Sequence, residues 1–145
     1  MTKILLADDS RNIREYCRQV LEDDGYCVVE ARDGLEAVRV FRAETPDLAI
    51  LDLRMPWLNG LDVLECIKAI RPEFPVVIFT ANDEDCIGDG RSALATACIE
   101  KSEDLTELKR AVVRGLHSAS GGCDGSALRL GLGRATLYPR ESLQW

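Results

Sequence analysis

The spacing of apolar residues switches repeatedly along the chain, and this alternation constrains the fold more than any other feature of the sequence. Short continuous apolar runs, typical of strands, alternate with segments whose apolar residues recur at helical spacing. The predicted strands lie at 4–7, 26–31, 48–51, 76–79 and 97–100. The helix predicted at about 83–95 is expected to be weak because it contains Gly88 and Gly90. Five strands alternating with five helices predict an α/β fold, a doubly wound parallel sheet with helices on both faces.

The composition of the strands indicates their places in the sheet. The runs at 4–7, 48–51 and 76–79 are apolar at every position, as in strands buried on both sides. The run at 26–31 is interrupted by Glu30, which favours an edge position.

Length and charge exclude several classes of protein. The chain has 145 residues, of which 46% are hydrophobic and 30% charged, a balance typical of one globular domain. No apolar run approaches the ~18 residues that span a bilayer, and the N-terminus is too short for a signal peptide. We therefore expect a cytoplasmic protein with no membrane partner. The net charge of -7 argues against nucleic-acid binding by this chain alone.

The C-terminal part differs in character from the rest. From Ser118 the chain is rich in glycine and serine, which is a linker composition. We predict a folded domain over residues 1–117 and a flexible or weakly ordered tail over 118–145. Alternatively, the tail is the joint to a further domain in a longer transcription factor.

Six cysteines raise the possibility of disulfides or a metal site. They stand at positions 17, 27, 66, 86, 98 and 123. No Cys-x-x-Cys pair is present, and the single His117 does not complete a zinc set. We expect no disulfide and interpret most of the cysteines as small core residues in a reducing compartment.

Polar residues stand where the predicted strands end. They are Asp8, Asp9, Asp52, Thr80 and Lys101. In an open parallel sheet the carboxyl ends of the strands share one edge, where ligands bind. Three carboxylates at that edge repel one another and raise each other's pKa unless a cation lies between them. All-oxygen ligands suit Mg²⁺.

The remaining polar groups favour phosphoryl transfer. Lys101 supplies a fixed positive charge, and Thr80 supplies a hydroxyl that can donate to an oxyanion. Asp52 can act as the nucleophile, since a carboxylate can form an acyl phosphate.

These residues resemble those of CheY-like response-regulator receiver domains. The matching motifs are Asp8-Asp9, the segment 52–60, Thr80-Ala81 and Lys101, and the resemblance covers roughly residues 2–117. It implies the flavodoxin-like strand order 2-1-3-4-5. It also implies that Asp52 accepts a phosphoryl group from a histidine kinase or phosphotransfer protein. Such a chain is a signalling module, with no enzyme activity beyond self-phosphorylation and autodephosphorylation.

The resemblance also implies a Mg²⁺ site. Asp9 and Asp52 would hold the ion directly, and Asp8 would reach it through water. The backbone carbonyl of Arg54 would complete the set.

The remaining residues of the motif are implied to relay the signal. Lys101 would pair with the phosphoryl oxygens, and Thr80 would turn inward on phosphorylation. The change would reach a downstream protein target through the face formed by the fourth helix, fifth strand and fifth helix.

The sequence departs from the family pattern in three places, one of which is Leu94-Ala95, where a Gly-Ala pair is expected after the fourth helix. Cys98 stands where an aromatic switch residue is usual, and Ser102 replaces the proline that usually follows the lysine across a cis bond. We expect a trans bond before Ser102. A degenerate receiver that acts only as a binding module is therefore an alternative. A haloacid-dehalogenase-like phosphatase is disfavoured, because Arg54 stands where those enzymes carry a second acid.

Overall fold

The computed structural model describes residues 1–82 and 84–121. Five strands form one parallel sheet: β1 (Lys3–Ala7), β2 (Cys27–Ala31), β3 (Leu48–Leu51), β4 (Val76–Thr80) and β5 (Ala97–Glu100). The helices are α1 (Arg11–Asp23), α2 (Gly34–Glu44), α3 (Gly60–Ile70), α4 (Glu84–Ile87), the 3₁₀ helix η1 (Gly90–Leu94) and α5 (Thr106–Gly121). The strand order is β2-β1-β3-β4-β5, which confirms the predicted fold class and order.

The sheet separates two apolar clusters, and alternate residues of each central strand enter opposite ones. In β1, Leu5 packs into the cluster that contains Phe41 of α2, whereas Ile4 packs into the cluster that contains Leu21 of α1. Every residue of β3 and β4 is buried, as predicted for strands covered on both faces. β2 lies at an edge, as its Glu30 indicated.

The fourth helical segment differs from the single helix predicted at about 83–95. Helix α4 has only four residues, and the chain continues after Gly88 as the short η1. Glycine destabilises helix interiors because the unfolded chain has more freedom to lose. The two glycines therefore divide the predicted helix rather than merely weakening it.

Helix α5 begins four residues after Ser102, so Ser102 does not cap it, although serine is a residue type that caps helices. The side chain of Asp104 accepts from the backbone N–H of Thr106 at 2.9 Å. The bond before Ser102 is trans, as predicted.

Helix α5 continues to Gly121, through the residues where the tail was predicted to begin. Residues 122–145 lie outside the described part of the chain, so the tail predicted at 118–145, with Cys123, stays a prediction.

The cysteines contradict the expectation of no disulfide. Cys86 of α4 and Cys98 of β5 are joined by a disulfide bond. Cys17, Cys27 and Cys66 are free thiols. The pair has no motif-like spacing, since its partners are 12 residues apart, and only the path of α4 beside β5 brings them together.

Within residues 1–82 and 84–121, no helix combines the length and the apolar character that crossing a membrane requires.

Candidate functional site

The carboxyl ends of the central strands hold the predicted acidic residues. Asp8 directly follows β1, and its backbone N–H donates to the carbonyl of Ala31 at 3.1 Å. Asp52 directly follows β3, and its N–H donates to the carbonyl of Ala7 at 2.9 Å. Because both residues remain hydrogen-bonded to neighbouring strands, their backbone positions are set by the sheet.

Three carboxylates meet at this edge. One oxygen each from Asp8, Asp9 and Asp52 lies within 4.8 Å of the others. Asp8 and Asp52 are only 2% and 6% exposed, whereas Asp9 is open to solvent. The cluster thus has a buried floor and one accessible side.

Lys101 supplies the positive charge opposite these acids. Its Nζ lies 2.6 Å from Oδ2 of Asp8 and 3.4 Å from Oδ2 of Asp52. Its backbone N–H donates to the carbonyl of Thr80 at 2.7 Å, which fixes the end of β5 against the end of β4. Residues more than 90 positions apart therefore form one ionic cluster.

The charges in the cluster do not balance. Burial raises the pKa of the Asp52 carboxyl, and the nearby charge of Asp8 raises it further, although Lys101 opposes both effects. Burial acts to lower the pKa of Lys101, but its hydrogen bond to Asp8 and the charges of both acids outweigh burial and raise that pKa. The site therefore carries excess negative charge that another cation would relieve.

Because the cluster has excess negative charge, its ligand atoms suit a bound Mg²⁺ ion. The available ligand atoms are carboxylate oxygens, which Mg²⁺ prefers, and the exposed side at Asp9 leaves room for the waters that this ion retains. The acidic triad predicted from the sequence thus fits a Mg²⁺ site in both its chemistry and its geometry.

Thr80 is the last residue of β4, the strand that lies next to β3. Its side chain is 1% exposed, and its Oγ accepts from the backbone N–H of Asn82 at 3.4 Å. The hydroxyl proton is therefore available to another acceptor.

The loop after β3 is shaped by a close backbone approach. The backbone N–H of Arg54 lies 3.4 Å from Oδ1 of Asp52. Gly60, the first residue of α3, donates to the carbonyl of Leu53 at 2.9 Å. A Cβ on Gly60 would overlap the carbonyl oxygen of Asp52, so only glycine lets α3 start this close to the acid.

Trp57 lies at the tip of the same loop. Its side chain is 76% exposed, and its φ of 73° is left-handed, which is uncommon for a bulky residue.

Two residues hold Asp8 in place, and neither contact with Asp8 was predicted from the sequence. The backbone N–H of Ser10 donates to Oδ1 of Asp8 at 2.8 Å, and Arg14 Nη1 donates to the Asp8 carbonyl at 2.7 Å. Ser10 also caps α1, since its side chain accepts from the backbone N–H of Ile13. Arg14 gave no signal because it reads as a polar residue of an amphipathic helix.

Comparison with known proteins identifies the family. Residues 4–113 match the family model described as the response regulator receiver domain. Over 111 residues the chain is 34% identical to sporulation initiation phosphotransferase F of Bacillus subtilis, covering 76% of this chain and 90% of that protein. It is 38% identical over 81 residues to response regulator MprA of Mycobacterium ulcerans, covering 56% of this chain but only 35% of MprA.

Solved structures agree with this assignment. The response regulator TrrA of Thermotoga maritima, solved in complex with Mg²⁺-BeF, is 34% identical. It has a TM-score of 0.77 and covers 80% of this chain and 100% of its own. TrrA in complex with the histidine kinase ThkA gives 33% identity and a TM-score of 0.73, covering 80% of this chain and 99% of that one. The protein therefore belongs to the response regulator receiver domain family, whose members are phospho-acceptor signalling modules of two-component systems rather than enzymes.

Proposed function

We propose that Asp52 is the residue that accepts the phosphoryl group. The observation that carries this proposal is the position of its carboxylate, which lies within 4.8 Å of two other acids and 3.4 Å from Lys101 Nζ. Asp8 is hydrogen-bonded to Lys101 at 2.6 Å and is the more deeply buried acid, whereas Asp9 is exposed. Asp52 is thus the acid that can face an incoming phosphorus while its neighbours hold cations.

The transfer moves one phosphoryl group from nitrogen to oxygen. A carboxylate oxygen of Asp52 attacks the phosphorus of a phosphohistidine, and the bond from phosphorus to the imidazole nitrogen breaks. The bonding electron pair stays on that nitrogen, which takes a proton from solvent. Lys101 neutralises charge on the transferred group, and the Thr80 hydroxyl donates to one of its oxygens.

Asp9, Asp52 and the Arg54 carbonyl would hold Mg²⁺ directly, with Asp8 reaching it through water. When bound, the ion supplies positive charge that neutralises the equatorial oxygens of the phosphoryl group.

The phosphoryl donor is a histidine kinase or a phosphotransfer protein. The complex of TrrA with the histidine kinase ThkA supports this proposal, since TrrA shares the fold at 33% identity. The similarity to a sporulation phosphotransferase supports a relay partner as well.

We infer that the signal leaves through the face formed by α4, β5 and α5. Thr80 pairs with Glu100 in the β4–β5 register, so a movement of its side chain acts next to β5. Leu94 of η1 and Val113 of α5 are exposed apolar residues, at 46% and 57% exposure, in or next to the elements that form this face. A downstream protein that binds this face would sense the state of Thr80.

Incubation with Mg²⁺ and acetyl phosphate tests the acceptor. Intact-mass spectrometry should detect one added phosphoryl group on the wild type and none on Asp52→Asn. Asp23→Asn, an exposed change at the end of α1, serves as the matched control and should be labelled like the wild type. Equal labelling of Asp52→Asn would contradict the proposal.

NMR of the phosphorylated domain tests the output face. We expect amide shift changes at β5 and in the first turns of α5, together with those around Asp52. A spectrum in which only residues near Asp52 shift would instead favour the alternative of a receiver that acts solely as a binding module.

A further inference from the structure

The disulfide between Cys86 and Cys98 encloses one segment of the output side. The bond joins α4 to β5, and the chain between its partners contains η1. Cys86 is 5% exposed and lies in the core cluster on the α2 and α3 side of the sheet. Cys98 is half-buried against the same cluster. The bond thus fastens a peripheral helix to an edge strand.

Local structure alone holds this segment weakly. Helix α4 has four residues, well short of the ~12–15 at which isolated helices become marginally stable. Its first N–H is satisfied by the Asn82 side chain, which accepts from Glu84 at 3.0 Å. A Cβ built on Gly88 or on Gly90 meets no atom within 4 Å, so the chain at both glycines borders open space.

Apart from the buried Cys86 and the partly buried Ala95, the attachments of the segment are polar and near the surface. Arg91 Nη1 lies 2.9 Å from Asp62 and 2.8 Å from Glu65, both on α3. Because these side chains are between 31% and 57% exposed, solvent screening reduces what the pairs contribute to stability. Ser92 Oγ donates to the carbonyl of Cys86 at 2.7 Å, which is a contact inside the segment. The connection between Cys86 and Cys98 is therefore a major tie of α4 to the sheet.

We propose that Cys86 and Cys98 form a reversible redox switch that controls how firmly residues 84–95 are held against β5. In the oxidised state the disulfide fastens α4 to the strand. In the reduced state the segment opens locally far more often, because it is then held only by the burial of Cys86 and Ala95 and by polar contacts near the surface. This inference goes beyond the proposed phosphoryl acceptance, because the switch operates without phosphorylation.

Oxidation proceeds by thiol–disulfide exchange with a low-molecular-weight disulfide. The thiolate of Cys98, the more exposed partner, attacks that disulfide and releases one thiolate. The thiolate of Cys86 then attacks Cys98 Sγ in the mixed disulfide and releases the second. Each cysteine loses its proton to solvent, and the two electrons leave in the two small thiols. Excess small thiol reverses both steps.

Hydrogen exchange in oxidised and reduced glutathione buffers tests the switch. Intact mass under each condition establishes the redox state, since the oxidised protein lacks two hydrogen atoms. We expect amides of residues 84–95 to exchange about tenfold or more faster in the reduced protein, while amides of β1 and β3 are unchanged. Equal exchange rates in the two states would overturn the proposal.

Cysteine variants separate this pair from the other thiols. Cys98→Ala should exchange at the reduced rate in both buffers, with the cooperativity of unfolding as a check that it folds. Cys27→Ala and Cys66→Ala, which alter free thiols, should keep the redox response. A redox response that survives in Cys98→Ala would contradict the assignment. Each readout is made on unphosphorylated protein, so a failure of Asp52 as acceptor would leave the result unaffected.

Discussion

The acidic edge of the sheet and the segment from α4 to η1 are held in contrasting ways. Asp8 and Asp52 directly follow central strands whose residues are almost entirely buried, and their own N–H groups extend the hydrogen bonding of the sheet. Residues 84–94 form a four-residue helix and a 3₁₀ turn, fastened by a disulfide and by ion pairs near the surface. The chemical site is thus fixed by the core, whereas the segment from α4 to η1 depends on a disulfide and on ion pairs near the surface.

Removal of the Lys101 side chain from the acidic edge should produce the largest effect, a loss of phosphorylation rate. Lys101→Ala leaves Asp8 and Asp52 buried without their shared positive partner. The variant also lacks a charge aimed at the transferred oxygens. We expect phosphorylation by acetyl phosphate at saturating Mg²⁺ to slow about 100-fold or more, measured by the rate of appearance of the phosphorylated mass.

Lys109→Ala is the matched control for this change. Lys109 pairs with Asp24 at 3.4 Å, and both side chains are about two-fifths exposed. This variant should phosphorylate at the wild-type rate. If Lys101→Ala also does so, Lys101 has no part in the transfer.

Addition of one methyl group to the acidic edge should be costly. The Cβ of Gly60→Ala would overlap the carbonyl oxygen of Asp52, which is backbone and cannot turn away. We expect a loss of about 1–3 kcal/mol in the free energy of unfolding, measured by urea denaturation. A variant as stable as the wild type would mean that α3 can shift away from the strand end.

Addition of a methyl group in the segment from α4 to η1 should change the free energy of unfolding in the opposite direction. A Cβ on Gly88 meets nothing within 4 Å, and Gly88 does not have a left-handed φ. Gly88→Ala should therefore raise the free energy of unfolding by about 0.4–1 kcal/mol, because alanine restricts the unfolded chain. Destabilisation in the same urea assay would show that this segment is as tightly constrained as the acidic edge.

The smallest effect expected is spectroscopic. Trp57 lies five residues after Asp52 and is 76% exposed, so Mg²⁺ binding should alter its fluorescence through the loop between them. The Trp145→Phe variant leaves Trp57 as the single tryptophan. EDTA should reverse the change, and Asp9→Asn should weaken it. No response to Mg²⁺ in the Trp145→Phe variant would count against the position assigned to the metal.

The contrast between the acidic edge and the segment from α4 to η1 also explains which features could be predicted from the sequence. Strands that are buried on both faces appear in the sequence as continuous runs of apolar residues. The ends of β1, β3 and β4 were therefore predictable, and so were the positions of Asp8, Asp52 and Thr80. Parallel pairing then requires these residues to meet at one edge. The acidic site could therefore be predicted from the sequence alone.

The local sequence pattern was not sufficient to predict three features of the peripheral part of the domain. The division of the fourth helix reflects how two glycines act together, and their individual propensities predicted only a weaker helix. Ser102 and Asp104 are both residue types that cap helices, so composition could not choose between them. The bond between Cys86 and Cys98 has no spacing signature, since it depends on where the short helix lies beside β5.

We claim that the phosphoryl group resides on Asp52, and chemical trapping of the aspartyl phosphate provides a direct test. Borohydride reduces an aspartyl phosphate to homoserine, which peptide sequencing by mass spectrometry then locates. After treatment with acetyl phosphate and Mg²⁺, we predict homoserine at position 52, with Asp8 and Asp9 recovered as aspartate. Homoserine at position 8 or 9, or phosphorylated protein that borohydride does not convert, would contradict the claim.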